Sequence, residues 1–124
     1  MIIEDWIKKA DRHMEICEIL LTVDEYSSII HFSFIAMFSL IKALFIKKNI
    51  DCKTHEGLIY LLKIHYVEEG LFDDKFFKFY CKVKELNTQF DRGNEDYFTK
   101  NMALNVMDGT YNFLNYSKEV VKAI

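Results

Sequence analysis

The stretch from Ser27 to Ile41, SSIIHFSFIAMFSLI, carries no formal charge, and Lys42 alone separates it from the apolar segment Ala43-Leu44-Phe45-Ile46. Apolar residues fall at nearly every angle of a 3.6-residue helical wheel, which is typical of a helix that is buried on all sides. An uncharged run of this length rises about 22 Å as a helix, whereas a membrane span needs roughly 20 residues for about 30 Å. The stretch therefore predicts a central core helix rather than a membrane span.

The composition describes a folded chain of 124 residues, which predicts a single domain over residues 1–124. Hydrophobic residues make up 51% of the chain and charged residues 28%, which excludes the disordered class. The chain contains no proline, so the strongest breaker of helices is missing from the sequence. The net charge of −3 argues against a protein that holds nucleic acid by bulk charge alone.

The cysteines and the first residues both favour a cytoplasmic protein. Cys17, Cys52 and Cys81 are odd in number and form no C-x-x-C pair, which is typical of reduced thiols. The segment Met1–Trp6 is acidic and lacks the basic flank of a signal peptide, so we expect the chain to stay in the cytoplasm.

Helical periodicity continues on both sides of the central helix. Residues 3–21 form an amphipathic helix, and Asp24 is predicted to cap the central helix that follows. Thr54, one of Asp73 and Asp74, and Thr99 are predicted to cap a third, fourth and fifth helix. The fifth helix has six positions predicted to face inward: Ala103, Val106, Thr110, Phe113, Ser117 and Val120. No segment alternates with period two, so the sequence predicts an all-α, up-and-down bundle of about five helices.

Motifs for metal or cofactor chemistry are missing from the sequence. The histidines at 13, 31, 55 and 65 do not have the spacing of helical metal sites, and the four glycines are isolated, so no metal or cofactor is predicted. His31 is interpreted as a satisfied core or interface histidine. His55 begins the third helix and is either local structure or a ligand contact.

Two charged clusters each allow a structural and a functional interpretation. In the segment Asp91–Tyr97, Arg92 either recognises phosphate or carboxylate, or forms an Arg–Asp bridge that fixes the turn. Lys75, Lys78 and Lys82 form a basic stripe on the fourth helix, which is either a solvated face or a strip that follows phosphates.

The chain resembles the small stand-alone HEPN proteins. The resemblance is carried by Phe34-Ile35-Ala36-Met37-Phe38 with Lys42-Ala43-Leu44, by Thr54-His55-Glu56-Gly57, and by Arg92 with Asp96-Tyr97. It implies an up-and-down helical bundle that usually dimerises, and it covers essentially the whole chain. Many members of this family are metal-independent ribonucleases in which a His follows an Arg by four to six intervening residues. Here the corresponding positions hold Tyr97, Phe98 and Thr99.

The missing histidine decides which branch of the family this chain is expected to join. The resemblance implies a dimeric, non-catalytic module in a toxin–antitoxin or defence setting, beside a minimal nucleotidyltransferase. The binding residues for nucleotide or RNA would be Arg92, Asp96, Tyr97 and His55. Two alternatives stay open: an endoribonuclease toxin using Arg92 with His55 or Tyr97 as a non-standard base, and a purely structural interaction protein. The all-round apolar helix predicts a homodimer interface that includes Ile30, Phe34, Met37, Phe38 and Ile41 at least in part.

Overall fold

The computed structural model describes residues 2–124, which form five α-helices and no strand. The helices are α1 (Ile3–Thr22), α2 (Tyr26–Lys47), α3 (His55–Leu62), α4 (Asp74–Asp91) and α5 (Lys100–Ala123). A π-helical turn, Lys63–Val67, continues α3, and a short 3-10 turn, Glu95–Tyr97, lies between α4 and α5. The prediction of an all-α bundle of about five helices is confirmed.

Helix α2 is the central element of the bundle and packs against α1, α4 and α5. Thirteen of its 22 residues are buried, including Ile29, Leu40 and Leu44. By length and composition alone this helix could cross a membrane, but 67% of its most apolar window is covered by the rest of the chain. That burial is the arrangement expected of a core helix in a soluble protein.

One copy of the chain buries four of the five residues predicted to lie in the homodimer interface. Ile30, Met37 and Ile41 are 0% exposed and Phe34 is 4% exposed, whereas Phe38 is only partly buried. The prediction that the first four of these residues belong to a homodimer interface is wrong, because α1, α4 and α5 of the same chain already cover them. The homodimer itself stays a prediction.

Side-chain caps fix most of the helix starts. Thr54 accepts a hydrogen bond from Gly57 N–H, Asp73 accepts one from Lys75 N–H, and Thr99 accepts one from Met102 N–H, so these three predicted caps are confirmed. Asp24 does not cap α2, because the N-cap position is Glu25. The Asp24 backbone has a φ of +58°, and its carboxylate accepts a hydrogen bond from the Tyr26 hydroxyl at 2.9 Å.

Candidate functional site

A groove lies along α2 around the first turn of α3 and reaches α4 at one end. It consists of two adjoining cavities that share His55. The first, here called the lysine cavity, has a volume of about 110 Å³ and is lined by Phe38, Lys42, Cys52, Lys53, Thr54, His55 and Leu58. The second, here called the α4 cavity, has a volume of about 170 Å³ and is lined by Phe34, His55, Glu56, Lys84, Asn87, Thr88 and Asp91.

His55 is the one residue that lines both cavities. The cap at Thr54 starts α3, with Thr54 Oγ1 accepting a hydrogen bond from Gly57 N–H at 2.9 Å. This start places the His55 ring against two rings of α2, with centroids 5.8 Å from Phe34 and 5.4 Å from Phe38. His55 is nevertheless exposed, so one part of the ring is available to a ligand.

The lysine cavity is a basic site without a compensating carboxylate in its lining. Among residues 2–124, Lys42 and Lys53 form no ion pair. The Lys42 ammonium lies 5.9 Å from the centre of the Phe38 ring, which keeps this cation beside the cavity. Two ammonium groups and an imidazole around a small cavity are suited to a phosphate-sized anion.

The α4 cavity is backed by a hydrogen-bonded chain between helices. His31 Nδ1 lies 2.9 Å from Asn87 Oδ1, and Asn87 Nδ2 donates to Asp91 Oδ2 at 3.5 Å. Because Oδ1 only accepts, this bond requires the proton on His31 Nδ1. The His31 ring also stacks on Phe90 with centroids 4.5 Å apart and planes inclined by 13°. The prediction that His31 is a histidine with its hydrogen bonding satisfied is confirmed. The two hydrogen bonds also hold the side chains of Asn87 and Asp91 in place.

The turn after α4 is held by backbone hydrogen bonds and by an amide pair. Gly93 N–H donates to Phe90 O and Asn94 N–H donates to Gln89 O, both at 3.0 Å, in the Schellman pattern with Gly93 at a φ of +76°. The Asn94 side chain also donates to Gln89 Oε1 at 2.7 Å. The Arg92 guanidinium forms no ion pair within residues 2–124. The interpretation in which an Arg–Asp bridge fixes this turn is therefore wrong.

The four predicted binding residues occupy two neighbouring places. Asp96 and Tyr97 share an open concavity of about 440 Å³ with Gly93, Asn94 and Glu95. Tyr97 is 51% exposed, and its ring meets the buried Phe98 edge-on with centroids 5.3 Å apart. Arg92 lies on the exposed surface directly before this concavity, whereas His55 lies in the groove. Asp91, which lines the α4 cavity, immediately precedes Arg92 in the chain.

The two places differ in charge. The concavity that follows Arg92 is lined by two carboxylates, those of Glu95 and Asp96, and by no cation. The lysine cavity carries two positive charges and no carboxylate in its lining. An anion is therefore favoured more strongly in the lysine cavity than in the concavity after Arg92.

Reasoning from the sequence missed the residues that build the groove around His55. Lys42, Lys53, Lys84 and Asn87 come from three parts of the chain, and no spacing rule connects them. The one local indication is that Lys42, Lys53 and His55 lie on either side of, or within, the connection between two predicted helices. Within residues 2–124, no group of three or more His, Cys, Asp or Glu side chains is arranged to hold a metal ion.

Comparison with known proteins adds one match. The family model described as HEPN domain matches residues 3–120, which is nearly the full length of the chain. Among curated proteins, none matches the chain.

Proposed function

Because the chain belongs to the HEPN domain family, we propose that it is a non-catalytic module that binds a nucleotide or RNA. It would act as a cytoplasmic homodimer beside a minimal nucleotidyltransferase in a toxin–antitoxin or defence setting. Family membership supports a nucleotide- or RNA-related role. The homodimer, the partner and the setting rest on the resemblance of the motifs to small stand-alone HEPN proteins.

The groove around His55 is the observation that carries the binding proposal. It combines unpaired lysines, an exposed imidazole and a hydrogen-bonding wall made by Asn87 and Asp91. Phosphate requires cations, whereas a base requires a flat surface and polar groups at its edge. Arg92 directly follows Asp91 in the chain, and its guanidinium forms no ion pair in the described part of the chain, so it is the second candidate contact for a bound strand.

The proposal of a non-catalytic module rests on the missing histidine. Cleavage of RNA without a metal requires one group to take the 2′-hydroxyl proton and another to protonate the leaving oxygen. A placed acid–base group contributes about 10²–10⁴-fold to the rate. Tyr97, Phe98 and Thr99 stand at the position of the family histidine, and none of them carries the imidazole that suits proton transfer near neutral pH.

The test measures binding and cleavage with the same protein. Fluorescence anisotropy of a labelled single-stranded RNA at low salt should show weak binding, and Arg92→Ala should weaken it several-fold without loss of helical circular dichroism. Arg12→Ala is the matched control, since Arg12 is the other arginine of the chain and is exposed on α1. Efficient metal-free cleavage that Arg92→Ala abolishes would replace this proposal with the endoribonuclease. Absence of any nucleotide or RNA binding would favour a structural interaction protein.

Tyr97 offers a separate test of the proposed partner. Its side chain is 51% exposed, so its hydroxyl is open either to a ligand or to modification by a transferase. Incubation with the proposed partner, a minimal nucleotidyltransferase, and ATP, followed by intact-mass measurement, should distinguish these roles. A gain of one nucleotide that is lost in Tyr97→Phe would identify Tyr97 as a substrate of the partner rather than a ligand contact.

A further inference from the structure

We propose that the groove binds one nucleoside monophosphate unit in a single orientation, with its phosphate in the lysine cavity and an amino-bearing base in the α4 cavity. The inference rests on the proposed binding function and goes beyond it by assigning each end of the ligand. The unit is either a free nucleotide or one residue of an RNA strand, because both present the same phosphate and base.

The phosphate end is assigned by charge. Lys42 and Lys53 line a cavity without a carboxylate, and neither forms an ion pair in the described part of the chain. The lining of the α4 cavity, by contrast, includes two carboxylates, those of Glu56 and Asp91. Because carboxylates repel a phosphate and unpaired ammonium groups attract it, the phosphate is held by the two lysines.

The base end is assigned by the hydrogen bonds that remain open. Asp91 Oδ2 accepts from Asn87, which leaves Asp91 Oδ1 as an acceptor, and the Glu56 carboxylate lines the same cavity. Thr88 donates its hydroxyl proton to Glu85 O at 2.6 Å, so its oxygen also accepts. Acceptors therefore outnumber donors at this end, where Lys84 is the one free cation of the lining. An exocyclic amino group provides two donors and matches this wall, whereas uracil has no amino group.

The His55 ring sits between the two ends, where a sugar and the near face of a base would lie. It is exposed and is fixed from behind by Phe34 and Phe38. Both phenylalanines are at least partly buried, so the imidazole is the aromatic surface on which a base stacks. This arrangement prevents the ligand from reversing, because reversal would place the phosphate beside Glu56 and Asp91.

The experiment measures dissociation constants by calorimetry for AMP, for purine riboside 5′-monophosphate, which lacks only the amino group, and for adenosine, which lacks only the phosphate. We expect AMP to bind about tenfold or more tightly than either analogue, as hydrogen bonds to charged groups and phosphate contacts are individually worth that much. The Lys42→Ala, Lys53→Ala double variant should lose that advantage over adenosine. Lys47→Ala, an exposed lysine at the end of α2, is the matched control and should retain it.

The base end has its own variant. Asp91→Asn should bring AMP and purine riboside monophosphate close together in affinity, while the preference of AMP over adenosine stays. A six-residue oligoadenylate that binds at least tenfold more tightly than AMP, and loses that gain in Arg92→Ala, would identify RNA as the source of the unit. Equal affinities per site would identify the free nucleotide.

Failure of the orientation can be distinguished from failure of the function. If AMP or oligoadenylate binds, but the double lysine variant behaves like Lys47→Ala or the amino group makes no difference, the orientation is overturned and the binding module stands. If the wild-type protein binds none of these probes and no RNA, the proposed function is itself overturned.

Discussion

The ring of Phe79 on α4 lies directly against Gly109 on α5. A Cβ atom built at position 109 would lie 2.3 Å from Phe79 Cζ and 2.4 Å from Phe79 Cε1, closer than two non-bonded carbon atoms approach each other. A glycine within a helix costs about 1 kcal/mol relative to alanine. Here the missing side chain allows the ring of one helix to rest on the backbone of the other.

Gly109→Ala should therefore destabilise the protein by about 1 kcal/mol, although alanine is the better helix former. Overpacking costs about 1–3 kcal/mol, and the gain in helix propensity offsets about 1 kcal/mol of it. Urea unfolding followed by circular dichroism measures the free energy of unfolding. In a Phe79→Leu background, where the terminal ring atoms are removed, the same substitution should be neutral or stabilising. Equal effects in both backgrounds would contradict the contact.

The hydrogen bond between His31 and Asn87 should contribute to the packing of α2 on α4. Asn87 is 7% exposed, so Asn87→Ala leaves His31 Nδ1 without its partner at a half-buried position. We expect a loss of about 1–3 kcal/mol in the free energy of unfolding, which is the cost of an unsatisfied buried polar group. Thr88→Ala, at the neighbouring exposed position, should change it by less than about 0.5 kcal/mol. Similar losses in the two variants would show that the cross-helix bond is not the cause.

The helices and their inner faces could be predicted because they depend on local periodicity. All six positions of α5 that the spacing predicts to face inward are buried. Thr54, Asp73 and Thr99 cap the helices as their residue types indicate, because a cap needs only a side-chain oxygen near the next amides.

Other features depend on contacts between distant parts of the chain. Periodicity shows that Ile30 and Met37 are buried, but not whether the same chain or a second copy buries them. His31 and Asn87 are 56 residues apart, so their bond has no signature in the sequence. The groove around His55 has no signature in the sequence for the same reason, because Lys42 and Lys84 come to line adjoining cavities only after the helices have packed. The Arg92 segment, by contrast, is visible in the sequence because its four charged residues lie within six positions.

We expect the purified protein to be a homodimer at micromolar concentration. The chain has a mass of 14.8 kDa, so light scattering should give twice that value. Because Ile30, Phe34, Met37 and Ile41 are buried in one copy, the dimer must use other surfaces, and it should dissociate without loss of helical circular dichroism. A mass of 14.8 kDa across the concentration range would contradict the dimer.

Burial of the Cys17 thiol should make the fold sensitive to alkali. Cys17 is 0% exposed, and burial raises its pKa from the ordinary 9.0 to about 11, although the hydrogen bond with Ser33 opposes part of this shift. Above pH 9 the unfolded chain loses the thiol proton while the folded chain still holds it, so the folded state binds more protons. The free energy of unfolding should then fall as pH rises from 9 to 11, by up to about 1.4 kcal/mol per pH unit from this group.

The control for this prediction is Cys17→Ala, which removes the thiol. In this variant the free energy of unfolding should fall less steeply with pH, by the contribution of the Cys17 thiol, whatever the substitution costs in stability at pH 7. Tyr66 and Tyr80, whose pKa values burial also raises, add to the fall in both proteins and cancel in the comparison. Urea unfolding at pH 8, 9, 10 and 10.5 provides the two slopes. Parallel slopes for the wild type and Cys17→Ala would show that the Cys17 thiol titrates alike in the folded and unfolded chains.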